Sequence, residues 1–509
     1  MAGYFTYRKT LYLSAGPVGE KDCPPLSETG DPTLLTSSMI TVPFSWKQKG
    51  GFINDASCLN KMAVHGIVQV NKEEDMRNAL LYAKKNGLKV STAGVRHSMG
   101  GQAFYKNVLV LDMLNFKNIQ LNEAKKTITV QSGATWHDIQ NIIHPKYAVK
   151  AMQSTDIFTV GGSISVNAHG MDHQIGSIGK TIRSMRIMLH DGTVKTVGPT
   201  ENEELFNLIV GGYGLFGIIL DAELDITNND IYKYERTVIP SSNFPSLFNN
   251  TVRTDPSIGL MYAHLSTAPH SLFDDMILYT YTKEASADTI PPLEEVSSVK
   301  LRRAILNFSK QGKLAREIKW FAEKNIEPLL ESCSLKSRNQ SMQEGEACLV
   351  SRNEPMHDSV KYLQNNLKND TDILHEYFFP RSEFSSYISA VRQVLQANDA
   401  NLLNASIRVA HKEQNFLTYA PEEMFSLVLY LNQTTDAEGN EKMKKLTQEL
   451  IDTTLTHNGR FFLPYQLHYT SDQLKSSYPQ IGEFFKLKSA YDPNHIFSNT
   501  FYETYAPEV

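Results

Sequence analysis

The residues best placed to do chemistry lie in glycine-rich runs. Residues 93–104, AGVRHSMGGQAF, follow the strand-like VST and set His97 between two glycine turns. A histidine held this way is presented by backbone rather than buried in a helix stripe. Within five residues of His97 there is no second histidine and no carboxylate, so a local metal site lacks ligands. Further clusters follow at Gly161-Gly162, Gly170, Gly176, Gly179, Gly211-Gly212, Gly214 and Gly217. Glycine lets backbone approach a ligand closely, so clusters at strand ends read as loops around a phosphate or a ring system. No run matches G-x-x-x-x-G-K-[ST], and none gives a clear G-x-G-x-x-G between strand and helix.

The elements that must position these loops are legible in outline. Residues 64–70 read as a strand, 72–86 (KEEDMRNALLYAKKN) as a helix stopped by Gly87, and 89–92 as a second strand, a β-α-β opening. Strands are expected at 108–114, 127–132 and 182–189, with Asp191-Gly192 as a hairpin turn after the last. Beyond residue 228 helical stretches such as 300–325 alternate with strands at 277–282, 375–379 and 426–432. Residues 338–353 are polar and expected to form a loop. The last 50 residues predict a strand (460–469), a helix (473–488) and a closing turn, YDPNHIFSNTFY.

Composition bounds the function. The chain has 509 residues, 41% hydrophobic and 21% charged, which fits two or three globular units and excludes a disordered chain or a coiled coil. A net charge of −5 gives no electrostatic case for nucleic acid. The cysteines Cys23, Cys58, Cys333 and Cys348 form no C-x-x-C pair, so reduced thiols are expected, with Cys333–Cys348 as a possible pair. No apolar run is long enough for a membrane helix. The expected location is cytoplasmic, save for any targeting segment upstream of this sequence.

The histidine loop resembles the first flavin loop of the vanillyl-alcohol-oxidase or PCMH-type FAD-binding family. VRHSMGGQAF is similar to the cytokinin-dehydrogenase form. The resemblance implies FAD bonded covalently through His97, with Ala93, Gly94, Val95, Arg96, Ser98, Gln102 and Ala103 lining the diphosphate. Residues 155–176, TDIFTVGGSISVNAHGMDHQIG, resemble the second flavin loop, with Thr159, Gly161, Gly162, Ser163, Asn167, His169 and Gly176 as counterparts and backbone N–H groups facing anionic oxygens. The His169-Gly170 spacing is that of the sugar-oxidising branch, which includes aldonolactone, alditol and decaprenylphosphoryl-ribose oxidases. Thr155 stands where berberine-bridge-type relatives carry a second linking cysteine. GGYGLFGII (211–219) resembles the adenine-contacting strand entry, with Ile218 or Ile219 in contact, and YDPNHIFSN resembles the turn that closes near the flavin, ending at Asn499.

On the substrate side SIRV (406–409) resembles the E-x-R strand of the sugar branch, with Ser406 in place of its glutamate and Arg408 facing substrate or flavin. That branch's catalytic lysine is replaced by Tyr465 in GRFFLPY (459–465). A phenolate at Tyr465 would remove a substrate proton if a cation such as Arg408 lowered its pKa, with His169 as partner. A second reading is a cytokinin-dehydrogenase-like amine oxidation, or oxidative ring chemistry on a hydrophobic natural product, in which Asp138 in TWHDIQ would either stand for the family's W-x-D acid or cap its own helix. A third reading is a non-catalytic flavoprotein.

The resemblance thus implies an α+β protein: an N-terminal arm (1–55), a two-part FAD-binding domain (56–228), a substrate domain with an antiparallel sheet flanked by helices (229–455), and a C-terminal segment (456–509) returning to the flavin. The implied activity is oxidation of a C–OH group by hydride transfer to FAD. Its partners would be a small-molecule substrate and oxygen or another acceptor.

Overall fold

A computed structural model describes residues 42–284, 290, 292–295, 299–326, 348–361, 363 and 369–508. The arm over residues 1–41 and the loop over 338–347 lie outside the described residues.

Three large sheets and a two-stranded pair, Phe52–Ile53 with Met62–Ala63, organise the described residues. In the first, Gly66–Gln69, Leu109–Asp112 and Val90–Ala93 run parallel, and Ser45–Lys49 adds antiparallel to Gly66–Gln69. The helix Glu73–Lys85 makes the expected crossover, with acids in its first turn and Lys84 and Lys85 in its last, as the helix dipole favours. Buried Met76, Ala79, Leu80 and Ala83 hold it on the sheet. The second sheet is antiparallel, ordered Val194–Val197, Ile182–Met188, Ile218–Asn228, Thr127–Gln131, Ile119–Asn122. Met188 pairs Val194 across the Asp191-Gly192 turn, where Gly192 takes φ +84°.

The third sheet has eight antiparallel strands, from Cys348–Ser351 at one edge to Arg460–Phe461 at the other. Strand side chains alternate between faces. Leu374 and Glu376, Asn404, Ser406 and Arg408, Val428 and Tyr430, and Tyr262 and His264 all face one large cavity. Buried Ile373, Tyr377 and Phe379 belong to the core that includes residues of the helices Phe384–Ala397 and Ala437–Thr456.

Several expectations need correction. Residues 348–351 form an edge strand pairing Ile231–Tyr234, because the polar run hides the β-prone CLVS. The stretch 300–325 is two helices, Val299–Ser309 and Lys313–Asn325, broken at Gly312 with φ +115°. The expected 460–469 strand ends at Phe461, where Pro464 follows closely, and the helix at 473–488 divides into Ser471–Ser477 and Ile481–Tyr491. Residues 160–165 fold as a short helix rather than a loop, nucleated by the Thr159 hydroxyl accepting from Gly162 N–H. Cys58 is disulfide-bonded rather than reduced, and no free cysteine occurs among the described residues. Wide spacing in sequence says nothing about proximity in space, which is why the thiol state differs from the expectation.

Candidate active site

The first loop leaves the strand Val90–Ala93 and turns at Arg96, whose φ of 57° is a left-handed conformation costly for a side chain with a Cβ. Anchors on both sides hold the turn: Arg96 Nε donates to Asn54 O at 3.0 Å, and Ala56 N–H donates to Arg96 O. His97 is thereby brought to the cavity, its ring edge-on to Phe158 at 5.3 Å. No backbone carbonyl among the described residues takes the N–H groups of Val95, Arg96 and Ser98.

The second loop lies against the first. A Cβ on Gly94 would sit 2.1 Å from Thr159 Oγ1, so only glycine permits this approach. Trp136 Nε1 ties the second loop to the helix Trp136–Ile143 through Gln153 Oε1 (2.8 Å) and Ser163 Oγ (3.1 Å). The Gly161 N–H is already donated to Ser132 O, and that of Gly162 to the Thr159 hydroxyl. The expected donation of these groups to anionic oxygens is therefore not available. The two glycines serve by lacking side chains.

The closing turn supports both loops from behind. Ser498 N–H donates to Val90 O and Val90 N–H to Ile496 O, which seats residues 496–498 along the first-loop strand. Asp492 orders the turn by accepting from Ile496 and Phe497 N–H and pairing with fully buried Lys488 at 2.6 Å.

Between loops and sheet lies a cavity of about 1050 Å³. Of the residues singled out in the sequence, Ala93 to Ser98, Gln102, Ala103, Thr159, Gly161 to Ser163, His169, Ile218, Ile219, Arg408 and Tyr465 line it. Three do not. Asn167 is buried, and its amide bridges Glu413, Asn415 and Gly179. Gly176 packs against His411, and Asn499 caps the helix Thr500–Tyr505 while donating to Tyr213 O. Asp138 is also absent from the lining, because it closes a capping box with Thr135 and pairs with Lys117 at 3.2 Å.

A carboxylate that the sequence reading missed is the centre of the site. Glu376, 5% exposed, accepts from His169 Nε2 at 2.7 Å, from Ser426 Oγ at 2.5 Å and from Tyr465 OH at 3.3 Å. Burial pushes its carboxyl up, but His169, Ser426 and Arg408 together hold it below the usual glutamate value. Its one sequence signal is an acid inside the apolar strand run ILHEYFF, a placement that is rare unless the charge is paired.

Tyr465 reverses an expectation. Burial drives its phenol well above 10, Glu376 adds to that, and Arg408 only partly opposes it. Tyr465 is thus a hydrogen-bond donor to a carboxylate and not a standing phenolate. Gln102 fixes its backbone by donating to Leu463 O (2.8 Å) and Tyr465 O (3.0 Å). Arg408 donates to the Ser154 hydroxyl, and its guanidinium keeps its charge although burial lowers its pKa. Ser132 Oγ, Thr155 Oγ1 and His169 Nδ1, all from cavity-lining residues, are buried without a partner among the described residues. These orphaned atoms, the unclaimed N–H groups of the first loop and the glycine-only approach of the two loops fit a large polar cofactor.

The architecture is the PCMH-type FAD-binding fold, in an α+β chain. Residues 64–198 match the family model described as FAD binding domain. A solvent-stable cholesterol oxidase superposes with a TM-score of 0.68 at 15% identity, over 92% of this chain and 99% of that one. Decaprenylphosphoryl-beta-D-ribose oxidase of Mycolicibacterium smegmatis is 32% identical over 149 residues, covering 28% of this chain and 32% of that protein. Cytokinin dehydrogenase 2 of Arabidopsis thaliana is 27% identical over 164 residues, covering 31% and 32%. The chain's matches span about a third of the length of the curated relatives.

Proposed function

We propose that the protein is an FAD-dependent oxidoreductase that oxidises a C–OH group, with FAD held by the two glycine loops and linked covalently through His97. We extend the proposal to the division into an FAD-binding domain (56–228), a substrate domain (229–455) and a returning C-terminal segment. Bound there, FAD supplies a two-electron acceptor for the hydride leaving the substrate carbon.

The observation that carries the reading is the ionised Glu376 carboxylate, bonded at once to His169 of a cofactor loop and to Tyr465. The substrate hydroxyl proton passes to Tyr465 Oη while the phenol proton passes to Glu376, so tyrosine relays without ever standing as phenolate. His169 and Ser426 keep Glu376 charged before the transfer. Arg408 faces the same space and offers a fixed positive charge to the substrate oxygen. With Ser406 in place of the sugar branch's glutamate, and Phe462 and Leu374 in the lining, the wall is more apolar than a polyol site requires.

The disulfide at Cys58 favours an oxidising compartment over the cytoplasm. The amine-oxidation alternative loses its acid, since Asp138 is spent on its helix cap.

The test is anaerobic mixing of holoprotein with primary and secondary alcohols, sugars and amines while flavin absorbance is followed. Bleaching by alcohols supports the reading. Bleaching by amines alone, or by no donor, rejects it.

A further inference from the structure

The helices Val299–Ser309 and Lys313–Asn325 bury charged side chains beside Leu306, Ala315 and Trp320 and leave large apolar ones exposed. Their inward side and the turn between them bury Arg303, Lys310, Arg316 and Lys319, held by Lys361 O, Asp372, Asn401 and Glu323. Their outward side carries Leu301, Ile305 and Phe308 on the first helix and Leu314, Ile318 and Phe321 on the second. Each set is spaced i, i+4, i+7, one stripe of a 3.6-residue helix. With Ile326 they make up seven of the eleven exposed large hydrophobic side chains among the described residues, and Leu314 is 74% exposed. Scattered singly such residues mean little, but a contiguous patch marks an interaction surface.

Two observations identify what covers it. Leu301, Ile305 and Ile326 also line the cavity, so the apolar surface continues from outside the protein into the candidate active site. Residues 299–326 contain eight Lys and Arg against two Glu, in a chain whose net charge is −5. Five of these cations lie at the inner side or its margin, and Lys300, Arg302 and Lys313 are exposed beside the stripes, Arg302 also lining the cavity and Lys313 lying 3.0 Å from Asp399. An apolar stripe rimmed by cations is the pattern of a helix lying in the interface of an anionic bilayer. A second copy docked by two-fold symmetry would set the two basic segments against each other. No helix among the described residues is long and apolar enough to cross a membrane, so the hairpin would lie on the surface.

We infer that this helical hairpin docks on an anionic lipid surface, with the mouth of the cavity facing the lipid. The inference stands on exposure and charge and does not depend on the redox reading, because vesicle binding needs no turnover.

The experiment is co-sedimentation of the holoprotein with phosphatidylcholine vesicles with or without about 30% phosphatidylglycerol. Binding is expected to the anionic vesicles, to weaken in high salt, and to fall at least tenfold in Leu314→Asp and Phe321→Asp; Lys300→Glu should weaken it in the same direction. Flavin absorbance and thermal midpoint of these variants should match the parent, which separates lost docking from lost folding. Absence of binding to either vesicle overturns the inference, as does binding that the variants leave unchanged. A concentration-dependent dimer abolished by Leu314→Asp, without vesicle binding, also overturns it and assigns the face to a second copy.

Discussion

His169 and Glu376, 207 residues apart in sequence, meet with Nε2 and Oε1 at 2.7 Å, one from a glycine loop and the other from the middle of the strand Asp370–Pro380 in the large sheet. Because a carboxylate only accepts, the shared proton resides on Nε2, while His169 Nδ1 is buried with no partner among the described residues. The contact joins the glycine-loop wall of the cavity to its sheet wall.

Glu376→Gln should therefore preserve the fold and slow flavin reduction by about 10²–10⁴-fold, the usual worth of a positioned base. Stopped-flow reduction by the best alcohol checks this. A change below threefold would remove Glu376 from the proton path.

Tyr465→Phe deletes the relay and should slow reduction by a similar order of magnitude. The pH profile separates relay from phenolate. With Glu376 held below and Tyr465 well above their ordinary values, reduction should lose rate only as pH falls below about 4.5 and show no basic limb up to pH 10. A rise in rate with an apparent pKa between 7 and 10 would restore the phenolate.

His97→Ala tests the covalent link apart from catalysis. Acid precipitation of the parent should leave a yellow pellet, and that of the variant a colourless one with flavin in the supernatant. A colourless parent pellet sinks the linkage and leaves the rest of the site standing.

Lys488→Met strands Asp492 in the interior and should cost about 3–5 kcal/mol. Urea midpoints measure it. Since Asp492 holds the closing turn against the first-loop strand, weaker flavin retention should accompany the loss.

Acid stability follows from four buried histidines. Burial lowers His173 and His468 to about 4 and His264 and His375 to about 3. Between pH 6.5 and those values the unfolded chain binds protons that the folded chain refuses, so stability falls as pH drops from about 6.5. Asp55, raised to about 6 by burial, and Glu413, also raised by burial, act in the opposite direction, but they are two groups against four. Urea midpoints at pH 7 and 5 should differ accordingly, with the lower value at pH 5.

The opening crossover helix, the Asp191-Gly192 hairpin and the loop around His97 are readable because their signals are local: helix periodicity, a two-residue turn, glycines flanking one histidine. Glu376 is not, since its role arises from a sheet register that sets it across from Val428 and, one strand further, sets Val428 across from Ser406. Asn167 and Asn499 mislead for the converse reason. Both sit in runs resembling cofactor loops, yet their amides are consumed by internal bonds. The phenol of Tyr465 is hard to judge from sequence, which offers a candidate cation in Arg408 and no sign of the carboxylate beside it.

Residues 496–498 edge the very strand from which the first glycine loop springs. During synthesis that strand emerges hundreds of residues before the segment that completes it. A chain that stops short of residue 496 leaves that strand edge unpaired, so the first glycine loop is expected to be held less firmly in such a fragment.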